Sequence, residues 1–304
     1  MFKFYPLKHC AGRALSLCLV LGLFLGLFLG LSLVSGPSAR AESLKGENES
    51  TANIRQTGDV EVQAPEKKRY LIEFYANREF ISDGFGNWDS GGMRLTRSGE
   101  GHAWYMELNA YNRKDGDGSA GQIVGGLYKD WTEWLYTFTS MSSGTDVDFL
   151  PRFRVDQDFN FKLTEKRNIV WTLGGTFISY YNNSSDTILS TALNYYLPGW
   201  IFGGRYFYNI SNPGALKSSS YSLSVDQGYW GRYMNTIIVS WGKQAYYATY
   251  LDIPAEVKRD SSSVLLRHRN WIDDDWGLWV QGGYLSIKNG YHGETLGMGL
   301  FFYY

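Results

Sequence analysis

The sequence predicts an all-β chain that closes into a transmembrane, antiparallel, up-and-down β-barrel of about fourteen strands, with roughly twelve to sixteen compatible with the pattern. Three observations predict it. Aromatic residues make up 17% of the chain, and glycine numbers 35 against 7 prolines, a composition suited to strands and tight turns. Strand-length segments alternate polar and apolar residues with period two. The connections between segments alternate between short and long, as they do in outer-membrane barrels.

The chain has 304 residues and a formal net charge of −1. A polytopic helical membrane protein needs repeated apolar runs of about 20 residues, and only one such run is present, at the N-terminus. Residues 1–13 carry Lys3, Lys8 and Arg13 and no acid, 14–34 are apolar, and Ser35-Gly36-Pro37-Ser38 ends that run. Ala39-Arg40-Ala41 places small residues where a signal peptidase reads, so cleavage is expected after Ala41 and 1–41 is read as a signal peptide. An uncleaved anchor is the alternative. Cys10 and Cys18, the two cysteines, both lie in this segment, so the mature chain is expected to hold no disulfide and no thiolate-bound zinc. Loss of Lys3, Lys8, Arg13 and Arg40 leaves 25 basic residues against 30 acids. That balance argues against nucleic acid, whose binding proteins carry a basic excess. Residues 42–68 are polar and nearly free of aromatics; too poor in apolar residues to bury a core, they are read as a flexible periplasmic leader.

The barrel is expected over 69–304. Fourteen segments read as strands: 69–79, 89–98, 101–112, 121–130, 133–141, 150–162, 168–179, 185–197, 199–209, 217–229, 233–243, 260–271, 276–286 and 293–304. Most reach the ~10 residues that a tilted strand needs to cross a bilayer. Tight turns follow the even strands, as at Ser98-Gly99-Glu100, Leu197-Pro198-Gly199 and Asp273-Asp274-Asp275. Longer polar connections follow odd strands, at 114–120, 142–148, 209–216 and 245–260. In 150–162, Arg152, Arg154, Asp156, Asp158, Asn160 and Lys162 share one face, and Phe153, Val155, Gln157, Phe159 and Phe161 the other. That parity assigns the charges to a wet lumen and the apolar residues to lipid. The lumen-facing candidates are therefore Glu107, Arg152, Arg154, Asp156, Asp158, Lys162, Arg267 and Arg269. Tyr105, Tyr111, Tyr195 and Tyr206 are candidate aromatic steps for sugar rings within an open lumen.

Trp131, Trp134, Trp200, Trp230, Trp271 and Trp276 flank the short turns and are read as an interfacial girdle. The final segment places Leu296, Met298, Leu300, Phe302 and Tyr304 at alternate positions and resembles the assembly signal of outer-membrane barrels, which implies the barrel-assembly machinery as a partner.

Two short stretches narrow the family. Phe80-Ile81-Ser82-Asp83-Gly84-Phe85-Gly86-Asn87-Trp88, followed by Asp148-Phe149-Leu150-Pro151-Arg152, resembles the YaiO-type outer-membrane β-barrel family, over about 70–304. The residues carrying the likeness are Ser82, Asp83, Gly84, Phe85, Trp88, Phe149, Leu150, Pro151 and Arg152. The resemblance implies a surface-exposed barrel in the cell outer membrane, with some members linked to exopolysaccharide gene clusters, and it implies no catalytic residues. The leader lacks the tetratricopeptide arm of larger polysaccharide-export barrels.

Barrel enzymes that cut lipids combine a His, a Ser and a carboxylate or amide. His102, His268 and His292 follow the signal segment, and none has a Ser and an acid at matching strand spacing. Asp115-Gly116-Asp117-Gly118-Ser119 opens like a calcium loop, but position twelve is Gly126, where the bidentate acid belongs. No cofactor, metal or catalytic residue is expected. The reading is an outer-membrane barrel with a surface or transport role, a pore associated with exopolysaccharide or envelope glycan export. An enzyme modifying envelope lipid or glycan, or a structural or adhesive surface protein, stays as the alternative. Outer-membrane lipid, lipopolysaccharide and polysaccharide are the expected further partners. Mixed lumen charges fit either a hydrated pore or a cross-braced plug, and fourteen strands fall between side-chain-filled and open barrels.

Overall fold

A computed structural model describes residues 70–113, 118–147, 149–213, 215–243, 260–288 and 290–304. The expected signal segment and leader, Asp115 and Asp117 of the calcium-like stretch, and most of 245–260 lie outside the described residues.

Fourteen strands form one closed antiparallel barrel, each paired with its sequence neighbours and β1 with β14. They are β1 (Tyr70–Ile81), β2 (Asn87–Gly99), β3 (His102–Arg113), β4 (Gly118–Asp130), β5 (Leu135–Gly144), β6 (Phe153–Lys162) and β7 (Ile169–Ser179). The circuit continues through β8 (Ser185–Leu197), β9 (Trp200–Asn212), β10 (Leu216–Tyr229), β11 (Tyr233–Gly242), β12 (Ser261–Trp271), β13 (Trp276–Ile287) and β14 (His292–Tyr303). Closure leaves no free sheet edge, which is what a bilayer demands of β-structure, because an unpaired amide in hydrocarbon costs several kcal/mol. No helix among the described residues is long and apolar enough to cross a membrane; the crossing is made by strands.

The two faces differ as parity requires. Leu108, Leu189, Leu193, Leu223, Leu296 and Met298 point outward and are exposed, Met298 by 66%. So continuous an apolar surface is stable against lipid and not against water. The inward face alternates with it and carries the buried polar side chains, among them Glu73, Glu107, Arg154, Asp156, Asp158 and Gln281.

Strands at the long-connection end, the loop rim, run further than their apolar cores. β4 begins at Gly118, β5 continues to Gly144, and β9 and β10 leave only 213–215 between them. The connections expected at 114–120 and 209–216 are correspondingly shorter, because the ladder hydrogen bonds continue through polar residues beyond the lipid belt; the one expected at 142–148 is displaced to 145–152, because β6 begins only at Phe153. At the other end, the turn rim, Trp131, Trp134 and Trp200 face outward and are exposed, as a girdle places them. Trp271 corrects that picture: it is inward and buried with Leu71, Trp279 and Phe301, and Trp230 packs on the same cluster. These two rings pack against the inside of the wall at the turn rim, and their proximity to turns reflected the end of the strand without indicating the face.

Candidate functional site

Inward side chains form a belt of hydrogen-bonded charges around the wall. Arg205 on β9 donates two hydrogen bonds to Asp158 on β6, at 3.0 and 2.6 Å, and a third to Ser190 Oγ on β8 at 2.8 Å. The fork-to-carboxylate geometry is the strong form of this interaction. It spans two intervening strands because Gly174 on β7 lies beneath it: a side-chain carbon there would come within 2.5 Å of Arg205 Nη2 and of Ser190 Oγ. Arg269 on β12 reaches Glu73 on β1 in the same manner. Arg94 binds Glu107 at 2.7 Å, Asn109 donates to the other Glu107 oxygen at 2.6 Å, and Tyr75 OH donates to Asn109 at 2.5 Å. Arg154 pairs with Asp156 at 2.9 and 2.7 Å, where Ser140 and Thr176 also donate. Arg267 donates to Gln281 Oε1 at 2.8 Å, and Gln281 donates to Asn77 at 2.7 Å. Lys162 lies 3.3 Å from Asp130 and over the Tyr136 ring.

Glu107, Arg154, Asp156, Asp158, Lys162, Arg267 and Arg269 thus sit on the inward face and within these pairs. Arg152 does not. It precedes β6, is exposed at the loop rim, and its guanidinium lies 6.0 Å from the Tyr181 ring centroid; the polar parity of β6 continues to Arg152 but the strand does not. Tyr105 and Tyr111 are inward. Tyr195 and Tyr206 pair with Phe202 and Tyr221 on the outward face, so they are no lumen steps. Two-sided apolarity in those strands hid their parity. Glu73, Arg94, Arg205 and Asp226 belong to the belt and were not singled out from the sequence; their alternation with apolar neighbours was the available signal.

The paired side chains lie along the wall and leave a cavity of about 300 Å³ at the turn-rim half of the barrel. Its lining mixes rings, from Tyr128, Tyr136, Tyr196 and Trp230, with polar groups such as Asn194 and Asp226. Ile178, Tyr180, Ile188 and Phe207 form a buried apolar cluster inside the wall.

Above it, the two family-like stretches meet. The turn 82–85 takes positive φ at Asp83 (62°) and Gly84 (85°), the backbone of a tight hairpin turn for which Asp-Gly is suited. Ser82 Oγ accepts from the His292 amide at 3.0 Å and donates to Asp83 at 2.5 Å. Phe85 and Trp88 both pack on Tyr291. Phe149, Leu150 and Pro151 turn inward from the β5–β6 connection: Leu150 is 1% exposed, and a side-chain carbon at Gly144 would lie 2.7 Å from its Cβ. Gly144 N donates to Pro151 O at 2.9 Å, and Tyr181 OH donates to Gly144 O at 2.9 Å. Between the two stretches, Arg113 stands with its guanidinium carbon 3.9 Å from the Trp88 centroid and 3.8 Å from that of Phe149. A cation between two ring faces is attracted to both. Burial raises the Tyr291 phenol above its ordinary value; Arg113 opposes this and Glu79 adds to it. Arg113 was invisible as a site residue in the sequence, where it reads as the start of a polar loop.

The three histidines among the described residues lie on three different strands, β3, β12 and β14. His102 is exposed, with Nδ1 3.0 Å from the backbone oxygen of Glu100. His268 faces outward near the turn rim, 2.7 Å from Asn235 Oδ1, and Asn235 in turn donates to Gln227. His292 opens β14 beside Tyr284.

A protein-family model described as "YaiO membrane beta barrel domain" matches residues 70–247. No curated protein sequence matches the chain. Among solved structures, the chain is similar to "CymD monoaromatic hydrocarbon channel", with 8% identity, TM-score 0.53, and 79% of this chain and 89% of that one covered. It is similar also to "Bacterial polysaccharide outer membrane secretin" (5% identity, TM-score 0.47, 78% and 99% covered). The Acinetobacter baumannii outer membrane protein Omp33 aligns at 10% identity with a TM-score of 0.45, covering 79% of this chain and 100% of that one. The first likeness shows a shared barrel fold.

Proposed function

The chain belongs to the YaiO membrane β-barrel family, and from that premise we propose that this outer-membrane barrel conducts envelope or extracellular glycan from the periplasm outward. The turn rim is its periplasmic entrance, the cavity of about 300 Å³ its vestibule, and Phe149, Leu150 and Pro151 its constriction at the cell surface. The observation that carries this reading is the vestibule's chemistry. Its guanidinium and carboxylate groups are engaged along the wall, leaving ring faces and hydroxyl and amide groups for a cargo. Stacking on rings, with hydroxyls exchanging hydrogen bonds along the wall, suits a hydroxyl-rich, weakly charged polymer better than an ion of either sign. The alternating C-terminal strand β14 serves as the contact with the barrel-assembly machinery.

The test is current through the reconstituted barrel in the presence of neutral oligosaccharides. Transient blockades are expected when these are added from the turn-rim side, and their duration should shorten in Tyr136→Ala. Currents indifferent to every oligosaccharide, at concentrations that saturate other sugar-conducting pores, would overturn the reading.

A further inference from the structure

The outward face of β9, β10 and β11 changes character at the loop rim. Lys243 donates its amide to Ser219 O at 3.1 Å, which extends the β10–β11 ladder by one residue and sets Lys243 opposite Ser219. Ser220 and Gly242 point inward, so Lys217, Ser219 and Lys243 all point outward, the two lysines as diagonal neighbours. Directly below them lies a belt of rings: Tyr206 and Tyr221 have centroids 5.2 Å apart, and Tyr221 stacks on Trp241 at 5.7 Å. Tyr206 OH and Ser219 Oγ are 3.0 Å apart, tying the belt to the polar layer above it. A shallow groove at the loop-rim end of these strands is lined by the outward Tyr208, Lys217, Trp241 and Lys243 together with the inward Ser218, Gly242 and Ser261, and by Asp260.

Rings of this kind mark the boundary between hydrocarbon and headgroups, so the lysines stand at headgroup height in the outer leaflet. Like charges on adjacent strands repel, and among the described residues neither lysine makes an ion pair. Arg78 is the contrast. It also faces outward at the loop rim, on β1, and it is neutralised by Asp89 at 2.6 Å. The outer leaflet of this membrane presents lipopolysaccharide, whose lipid A sugars carry phosphates above acyl chains. A pair of ammonium groups above a ring belt complements that arrangement in both charge and height.

We propose that Lys217 and Lys243 form a seat for the lipid A phosphates of lipopolysaccharide, with Tyr221 and Trp241 against the acyl chains. The seat is independent of conduction through the lumen. Its test uses the full-length barrel in mild detergent, titrated with lipid A, with dephosphorylated lipid A and with phosphatidylglycerol. The readout is binding by native mass spectrometry, for the wild type, Lys217→Ala/Lys243→Ala and Lys217→Arg/Lys243→Arg. Loss of both lysines should weaken lipid A binding roughly thirtyfold, the arginine pair should restore it, and the wild type should bind the dephosphorylated form as weakly as the alanine pair binds lipid A. The last comparison needs no variant and stands even if a variant folds poorly. Equal lipid A binding by wild type and alanine pair, indifference to dephosphorylation, or equal affinity for phosphatidylglycerol would each overturn the proposal.

Discussion

Asp158 is held by Arg205 from three strands away, and a glycine makes the reach possible. Its inward direction was legible in the polar-apolar alternation of 150–162; its partner, 47 residues on, was not, because parity fixes a face and says nothing of reach across a curved wall. The same limit hid Arg113, whose two ring partners come from segments distant in sequence. Gly174→Val places a branched side chain into the space shared by Asp158, Ser190 and Arg205. Separating a buried ion pair costs about 3 kcal/mol, so urea-induced unfolding in lipid vesicles should shift by about that amount. The outward Leu173→Val on the same strand should shift it by less than about 1.5 kcal/mol.

Strands declared themselves through their membrane-crossing cores, and their ends did not. The lipid belt imposes period two only over its own thickness, so β4, β5 and β9 extend beyond the segments that alternation marks. Phe149-Leu150-Pro151 shows the limit most directly: three apolar residues in a row interrupt the alternation that runs through β6, and the stretch leaves the ladder and turns inward. Its proline lacks the amide a strand would need. Strand β14 is specified on both faces. Its outward residues are apolar, and its inward Gly299 lies beneath the Trp279 ring, where a side-chain carbon would fall 2.5 Å from Trp279 Cε2. Gly299→Val should therefore displace Trp279 and loosen β13–β14, costing about 1–3 kcal/mol. The expected outcome is a lower heat-modifiable, folded fraction on gels after refolding into vesicles, with Met298→Val folding as the wild type does.

Strand number and closure emerge for the molecule as a whole from local patterns that agree with one another: fourteen segments, alternating connections and a terminal aromatic strand. How the lumen is divided does not emerge that way. A belt of paired charges leaves a cavity at the turn-rim half, while an apolar cluster and the inward-turned Phe149-Leu150-Pro151 stretch lie in the loop-rim half, and each depends on contacts between residues far apart in sequence. The most direct test is single-channel conductance of the reconstituted wild type beside Phe149→Ala/Leu150→Ala, both first confirmed as heat-modifiable barrels. A wild type with brief, small current steps and a variant with larger, lasting ones is the predicted result. Identical traces from the two, whether silent or fully conducting, would contradict a lumen constricted at that stretch.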